Sequence, residues 1–272
     1  MGWSFVFLAG GFGLGFLVLA GIQRLPFMAG FGGVGLIGIQ SLVLAAVFGV
    51  LTWLIGARRL HLTCRDLRLT PASTGVNGFW TGLCVGGALA LVAMLAAVPA
   101  GHAAWQQDGG GLLAWLGAVA LTGAVLLPAA LAAELMFRGV PLVALSRAFG
   151  RVPAMVLLSA LFGVGHLMNP GIGLLSILNI ALAGLWLGAA FFSDGGLWTA
   201  TGAHLGWNLS LAAFGAPVSG LPLPMPWLDY SAGGPAWLTG GSFGPEGGVL
   251  ASVCLLGGLL YYVRRPEPES RS

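Results

Sequence analysis

The chain has 272 residues, of which 57% are hydrophobic and only 7% charged, with a mean hydropathy of +0.94. A soluble domain carries roughly 25% charged residues, so this composition excludes one and points to an integral membrane protein. The net charge of +3 comes from eleven Arg and no Lys, too small and scattered an excess for a nucleic-acid footprint, and no nucleic acid is expected as a partner.

Eight apolar stretches follow in order, each near the roughly 20 residues that cross a bilayer as a helix. They run over about 3–22, 33–56, 76–99, 113–146, 152–169, 172–193, 197–214 and 247–263. The first lacks a basic segment before it and exceeds the apolar core of a signal peptide, so it reads as a retained span. Between the second and third, LHLTCRDLRLTPAS mixes charged and apolar residues and is expected to rest on the membrane surface. Between the seventh and eighth, residues 215–246 form a loop whose Pro and Gly oppose helix and whose Trp and Tyr suit an interfacial lid. The fold class is all-α: a polytopic helical bundle of about eight transmembrane helices in one membrane domain, 1–272. Within it, 1–112 hold the N-terminal spans and linker, 113–214 a motif-bearing core and 247–263 the last span. Cys64, Cys84 and Cys254 are odd in number and lack C-x-x-C, so they indicate neither a disulfide framework nor a thiolate metal site.

Arginine placement sets the orientation. Arg58, Arg59, Arg65 and Arg68 follow the second span, Arg147 and Arg151 flank the fourth–fifth turn, and Arg264, Arg265 and Arg271 follow the eighth. Eight alternating spans put all of these on one side and leave Arg24 opposite, so the positive-inside rule places both termini in the cytoplasm. Abundant Ala, Gly and Arg without Lys suggest a GC-rich bacterial gene, and with it a bacterial inner membrane.

Five polar side chains sit inside the apolar stretches, in three short motifs. Glu134 and Arg138 form E-x-x-x-R, His166 ends F-x-x-x-H, and His204 and Asn208 form H-x-x-x-N. Ionisable groups in hydrocarbon are costly and mark function by default. The i, i+4 spacing lets Glu134 pair with Arg138 on one helix face, and His204 and Asn208 share a face in the same way. If the fourth and fifth spans form a hairpin turning at Gly150, residues at equal depth have numbers totalling about 300, as Glu134 and His166 do; both then lie roughly 24 Å from the turn. All five are expected to line one intramembrane cavity able to activate water. Each also has a plain structural reading: an ion pair for Glu134–Arg138, an interhelical hydrogen bond for either His or Asn208. Phe162 and Trp207 read as packing residues, Gly184 and Gly188 as a close helix contact, and His61 and His102 as loop residues without chemistry.

These motifs resemble the CPBP family of intramembrane proteases, which includes the CAAX prenyl proteases of the Ras-converting-enzyme type. Its pattern is E-E-x-x-x-R, then F-x-x-x-H, then H-x-x-x-N or D. It falls here on Ala133, Glu134 and Arg138, on Phe162 and His166, and on His204 and Asn208. The stretches HLMNPGIGLLSILNIALAGLWLGAAFF and WLTGGSFGPEGG also resemble a bacterial subgroup. The resemblance implies a membrane endopeptidase acting on hydrophobic or prenylated peptides in contact with lipid. A Glu and His166 would activate water, His204 would hold the water or a metal, and Asn208 would donate to the oxyanion. No Ser or Cys stands beside a His in the motifs, which opposes a covalent nucleophile. Zinc is a candidate cofactor with His166, His204 and Glu134 as ligands; a metal-free Glu/His mechanism stands beside it.

The departure is Ala133. The first Glu of the family pair is the general base, and Ala accepts no proton. Losing such a group typically removes about 10²–10⁴-fold in rate. An inactivating substitution, an inactive homologue, or a site in which Glu134 itself turns to the water would each account for it. The rival class is a membrane protein that binds hydrophobic or prenylated peptides without cleaving them.

Overall fold

The computed structural model describes residues 2–25 and 32–265; Arg271 lies outside the described residues. In chain order the elements are α1 (Gly2–Ile22), α2 (Gly33–Leu51) continuing into a π-helical segment at Thr52–Arg59, α3 (Ala72–Leu95), β1 (Ala103–Gln106), α4 (Leu112–Phe137) and α5 (Val140–Phe149). Then come α6 (Arg151–Val164), α7 (Leu174–Phe191), α8 (Leu197–Ala213), β2 (Asp229–Ala232), α9 (Ala236–Thr239) and α10 (Val249–Val263).

The helices follow the eight apolar stretches, with two corrections. The fourth stretch is two helices, broken at Arg138 and Gly139. Pro141 lies in the first turn of α5, where its missing N–H costs nothing but cannot continue the α4 ladder. The fifth stretch stops being helical at Val164, so His166 lies in the turn just beyond α6. Among the described residues, five helical segments are long and apolar enough to cross a membrane: α1, α2 with its π-helical extension, α3, the α4–α5 unit and α7. The remaining three, α6, α8 and α10, have 14, 17 and 15 residues. At 1.5 Å per residue they reach about 21–26 Å, short of the roughly 30 Å hydrocarbon core. Short elements are tolerated at that depth where protein surrounds their ends, and α8 is buried along most of its length.

The outward faces are apolar. Phe5, Phe16, Leu113, Val152 and Leu174 are each more than 70% exposed, which in water would be an aggregation liability and in lipid is the stable arrangement. The chain is a multi-pass membrane protein with an all-α bundle fold.

Glycine sets how closely the central helices approach. Gly78, Gly82 and Gly86 recur every four residues on α3 and face Gly195, Gly202 and Gly206 around α8. A Cβ on Gly82 would stand 2.2 Å from the Thr199 carbonyl oxygen, and one on Gly206 would stand 2.2 Å from that of Leu83. The two backbones touch, the small-residue packing on which helix association in lipid depends. Gly184 of α7 likewise lies against the Ser159 backbone of α6, and Gly188 lies against Met155, as read from the sequence.

The segments outside the spans are docked onto the bundle. Leu62 and Leu67 of the α2–α3 linker are buried. Arg68 donates from Nε to the Phe191 carbonyl at 2.8 Å and from Nη2 to those of Phe192 and Ser193 at 3.0 and 2.7 Å. It thereby satisfies carbonyls that the end of α7 leaves without intrahelical donors. The 215–246 loop is more ordered than its Pro and Gly imply. Strand β2 pairs antiparallel with β1, Ala103 opposite Ala232, and α9 and two 3₁₀ turns follow. Gly240, at φ +85, sits where a Cβ would be 1.7 Å from the Gly244 oxygen. Nearby, the Trp105 and Trp115 indoles donate to the Phe214 and Ala213 carbonyls at 2.9 and 2.7 Å, closing the C-terminal end of α8.

Candidate active site

Arg138 and Phe162 fix the relation between the hairpin's arms. The guanidinium carbon of Arg138 lies 4.7 Å from the centre of the Phe162 ring, and the two numbers total 300, the register expected for a turn at Gly150. Gly150 has φ +89 there, a left-handed conformation that glycine adopts without strain. Arg138 also donates to the Gly184 carbonyl at 3.0 Å, so it joins the break after α4 to both α6 and α7. Gly184 therefore supplies a hydrogen-bond acceptor as well as a close helix contact.

Glu134 is fully buried at the end of α4. Its Oε1 accepts from Arg138 Nη1 at 3.2 Å and from the His204 ring at Nδ1, 2.8 Å away. Oε2 is buried and takes no hydrogen bond among the described residues. The bond to a carboxylate makes Nδ1 of His204 the protonated nitrogen and leaves Nε2 with a lone pair. His166 is oriented similarly: its Nδ1 donates to the Phe162 carbonyl at 2.8 Å. The Phe162 ring packs edge-on against both imidazoles, with centroid separations of 4.9 Å to His166 and 6.0 Å to His204. Phe162, read as packing, is thus the spacer that sets the two histidines apart.

A cavity of about 60 Å³ opens beside them, enough for a few water molecules. His166, His204 and Asn208 line it, with Ile180, Ala183 and Leu187 of α7 forming an apolar wall. No hydrogen bond engages the Asn208 amide among the described residues, so it remains available to a guest. Glu134 and Arg138 are not in the lining; they stand behind His204 and Phe162. Ala133 is half-buried against the core. His61 and His102 lie in loops outside the cavity.

The lining also includes Trp207, Ser219 and Glu246, none of which the motifs name. The Trp207 indole donates to Glu246 Oε1 at 3.0 Å, and the Ser219 main-chain N–H donates to Oε2. Asn179 of α7 seats the same loop through its main chain, donating to the Glu246 and Gly248 carbonyls at 2.7 and 2.8 Å and accepting from the Ser252 hydroxyl at 2.6 Å. Glu246 stands in a Gly/Pro-rich stretch that composition reads as an exposed loop, where a carboxylate draws no notice. The available signal was its position immediately before the last apolar stretch.

Among the described residues no three His, Cys, Asp or Glu side chains form a metal-ligand set. As placed, Glu134 gives Oε1 to Arg138 and His204, and His204 faces it through a protonated Nδ1. The trio suggested for zinc therefore does not converge on one point, and no step below is routed through a metal.

A comparison with curated proteins found no match, and one with solved structures found none. The resemblance read from the motifs does hold against a family model: residues 112–210, which contain Ala133, Glu134, Arg138, His166, His204 and Asn208, match the type II CAAX prenyl endopeptidase Rce1-like family.

Proposed function

We propose that the protein hydrolyses a peptide bond in a hydrophobic or prenylated peptide presented from the membrane. Support comes chiefly from one observation: His204, held by Glu134 at 2.8 Å, shares a water-sized cavity with His166 and Asn208. In this reading Glu134 is a positioning residue. Its bond to Nδ1 keeps the His204 Nε2 lone pair available to a water molecule, and His166, fixed by the Phe162 carbonyl, offers a second. Asn208 donates its amide N–H to the oxygen of the tetrahedral intermediate, the preorganised donation on which such sites depend. The proton acceptor that the family pattern puts at residue 133 is absent at Ala133.

The membrane is proposed to be a bacterial inner membrane, with both termini cytoplasmic. Ala133 also favours a second reading, a protein that binds such peptides without cleaving them. The two separate in a vesicle assay with an internally quenched, farnesylated peptide ending in a Cys-aliphatic-aliphatic-X sequence. The first reading expects cleavage that His204→Ala and His166→Ala each abolish and Asn208→Ala lowers about 10²-fold or more. Saturable binding with no product, in this chain and in Ala133→Glu alike, establishes the second.

A further inference from the structure

We propose that Glu246 is the carboxylate that deprotonates the attacking water, delivered by the loop before α10 in place of the base missing at Ala133. This rests on the hydrolytic reading above. Among the described residues, Glu246 is the one carboxylate in the cavity that His166, His204 and Asn208 line. Glu134, the motif acid, is outside that lining and already shared by Arg138 and His204.

The side chain is held as a base requires. It is 8% exposed, and each carboxylate oxygen receives one N–H, from Trp207 and from Ser219. Burial pushes the Glu246 carboxyl above the usual carboxylate range and strengthens it as a proton acceptor, while the two N–H donors pull the other way and favour its ionised form. Each oxygen keeps a further lone pair for water. Ser219 holds a left-handed φ of +49 to make its donation, a conformation uncommon outside glycine. Anchoring the loop does not account for the carboxylate. The main-chain carbonyls of Glu246 and Gly248 are already bound by Asn179, so the loop is seated without it. A buried ionisable side chain in a membrane protein is costly and marks a functional site by default.

The step balances without a co-reactant. Water, donating one O–H to the His204 Nε2 lone pair and directing the other at a Glu246 oxygen, loses the second proton to that carboxylate as its own oxygen bonds to the scissile carbonyl carbon. The carbonyl electrons move to the oxyanion, which accepts from the Asn208 amide. When they return, the C–N bond breaks and the proton on Glu246 passes to the leaving nitrogen. One water is consumed, and a carboxylic acid and an amine are released.

The test uses the full chain in phosphatidylcholine vesicles with the quenched farnesylated peptide, and compares Glu246→Gln, Glu246→Asp, Ala133→Glu and His204→Ala. Glu246→Gln is expected to lower kcat about 10²–10⁴-fold, with KM within threefold and an unchanged thermal midpoint. It should also remove the carboxylate's share of the acidic limb of the kcat/KM profile and leave only the part set by protonation of the two histidines, a change that a purely structural role would not produce. Glu246→Asp keeps the charge and should retain that limb at reduced kcat; it serves as the decisive variant if Glu246→Gln does not fold. Turnover of Glu246→Gln within threefold of the parent overturns the assignment while leaving the hydrolytic reading intact. So does an inactive parent rescued by Ala133→Glu. If neither the parent nor Ala133→Glu cleaves while both are folded, the hydrolytic reading fails for prenylated peptides and the role of Glu246 falls with it.

Discussion

Glu134 and His204, seventy positions apart in the chain, meet at 2.8 Å between Oε1 and Nδ1, and the same oxygen also receives Arg138. One buried anion therefore serves two donors from opposite directions: a cation on its own helix and an imidazole on another. The first contact keeps the charge tolerable inside the bundle; the second sets the tautomer of the ring beside the cavity.

Separating those two roles is the first prediction. Arg138→Ala leaves Glu134 buried without its counter-ion and should cost about 3–5 kcal/mol, read as a fall in the thermal midpoint in detergent. Replacing both partners, Glu134→Leu with Arg138→Met, should restore most of that stability, because apolar substitutes for a buried pair are often neutral or better. Turnover should stay lost in the double variant, since the His204 ring is no longer anchored. A fully active double variant would show that the ion pair is structural only.

The α3–α8 contact supplies the second. A Cβ on Gly82 or Gly206 would fall 2.2 Å from a backbone oxygen of the facing helix, which no side-chain rearrangement relieves. Gly82→Val and Gly206→Val should each destabilise by more than the 1–3 kcal/mol typical of overpacking, roughly 3 kcal/mol or above, and should abolish cleavage by shifting His204 and Asn208. Gly10→Ala on α1, where nothing lies within 4 Å, is the control and should be neutral or mildly stabilising by about 0.5–1 kcal/mol.

Orientation is tested by the protein's own thiols. Cys64 is exposed in the arginine-rich α2–α3 linker, whereas Cys254 is buried. With that linker cytoplasmic, a membrane-impermeant maleimide should label Cys64 only after intact cells are permeabilised. Labelling from outside would invert the topology drawn from the arginines.

A fourth prediction concerns acid. Main-chain and hydroxyl donation from Thr63, with Arg147 beside it, holds the Asp66 carboxyl below the usual carboxylate range. A carboxylate whose pKa is lowered by folding stabilises the fold fully above its unfolded value, about 3.9, and loses that contribution as pH falls through the folded one. The tie between the linker and α5 should therefore loosen below about pH 4. Asp66→Asn should flatten the acid side of a stability-against-pH curve; an unaltered curve would remove this group from the account.

Hydropathy and motif spacing made the bundle, the hairpin turn at Gly150 and the pairing of Glu134 with Arg138 readable beforehand, although the register was read from Glu134 and His166 and the contact that shows it is Arg138 with Phe162. The break between α4 and α5 was not, because Leu, Val and Ala run across it and only Gly139 and Pro141 mark it. The glycines of α3 do recur every fourth residue, yet such a row does not name the helix it faces. The β1–β2 ribbon joins segments more than a hundred residues apart, and neither is long enough to carry an alternating pattern. Glu246 was hidden for a related reason. Whether a loop lies open or folds back inside depends on contacts such as Asn179 with its carbonyl and Trp207 with its side chain, and these exist only once distant helices have met.

Asn179, by gripping the main chain just ahead of α10, also puts the cavity's completion late in the life of the molecule. Both histidines and Asn208 emerge from the ribosome well before Glu246, and the wall that carries Glu246 is seated only when α10 packs against α7. A nascent chain inserted as far as α8 would hold an open, incomplete chamber.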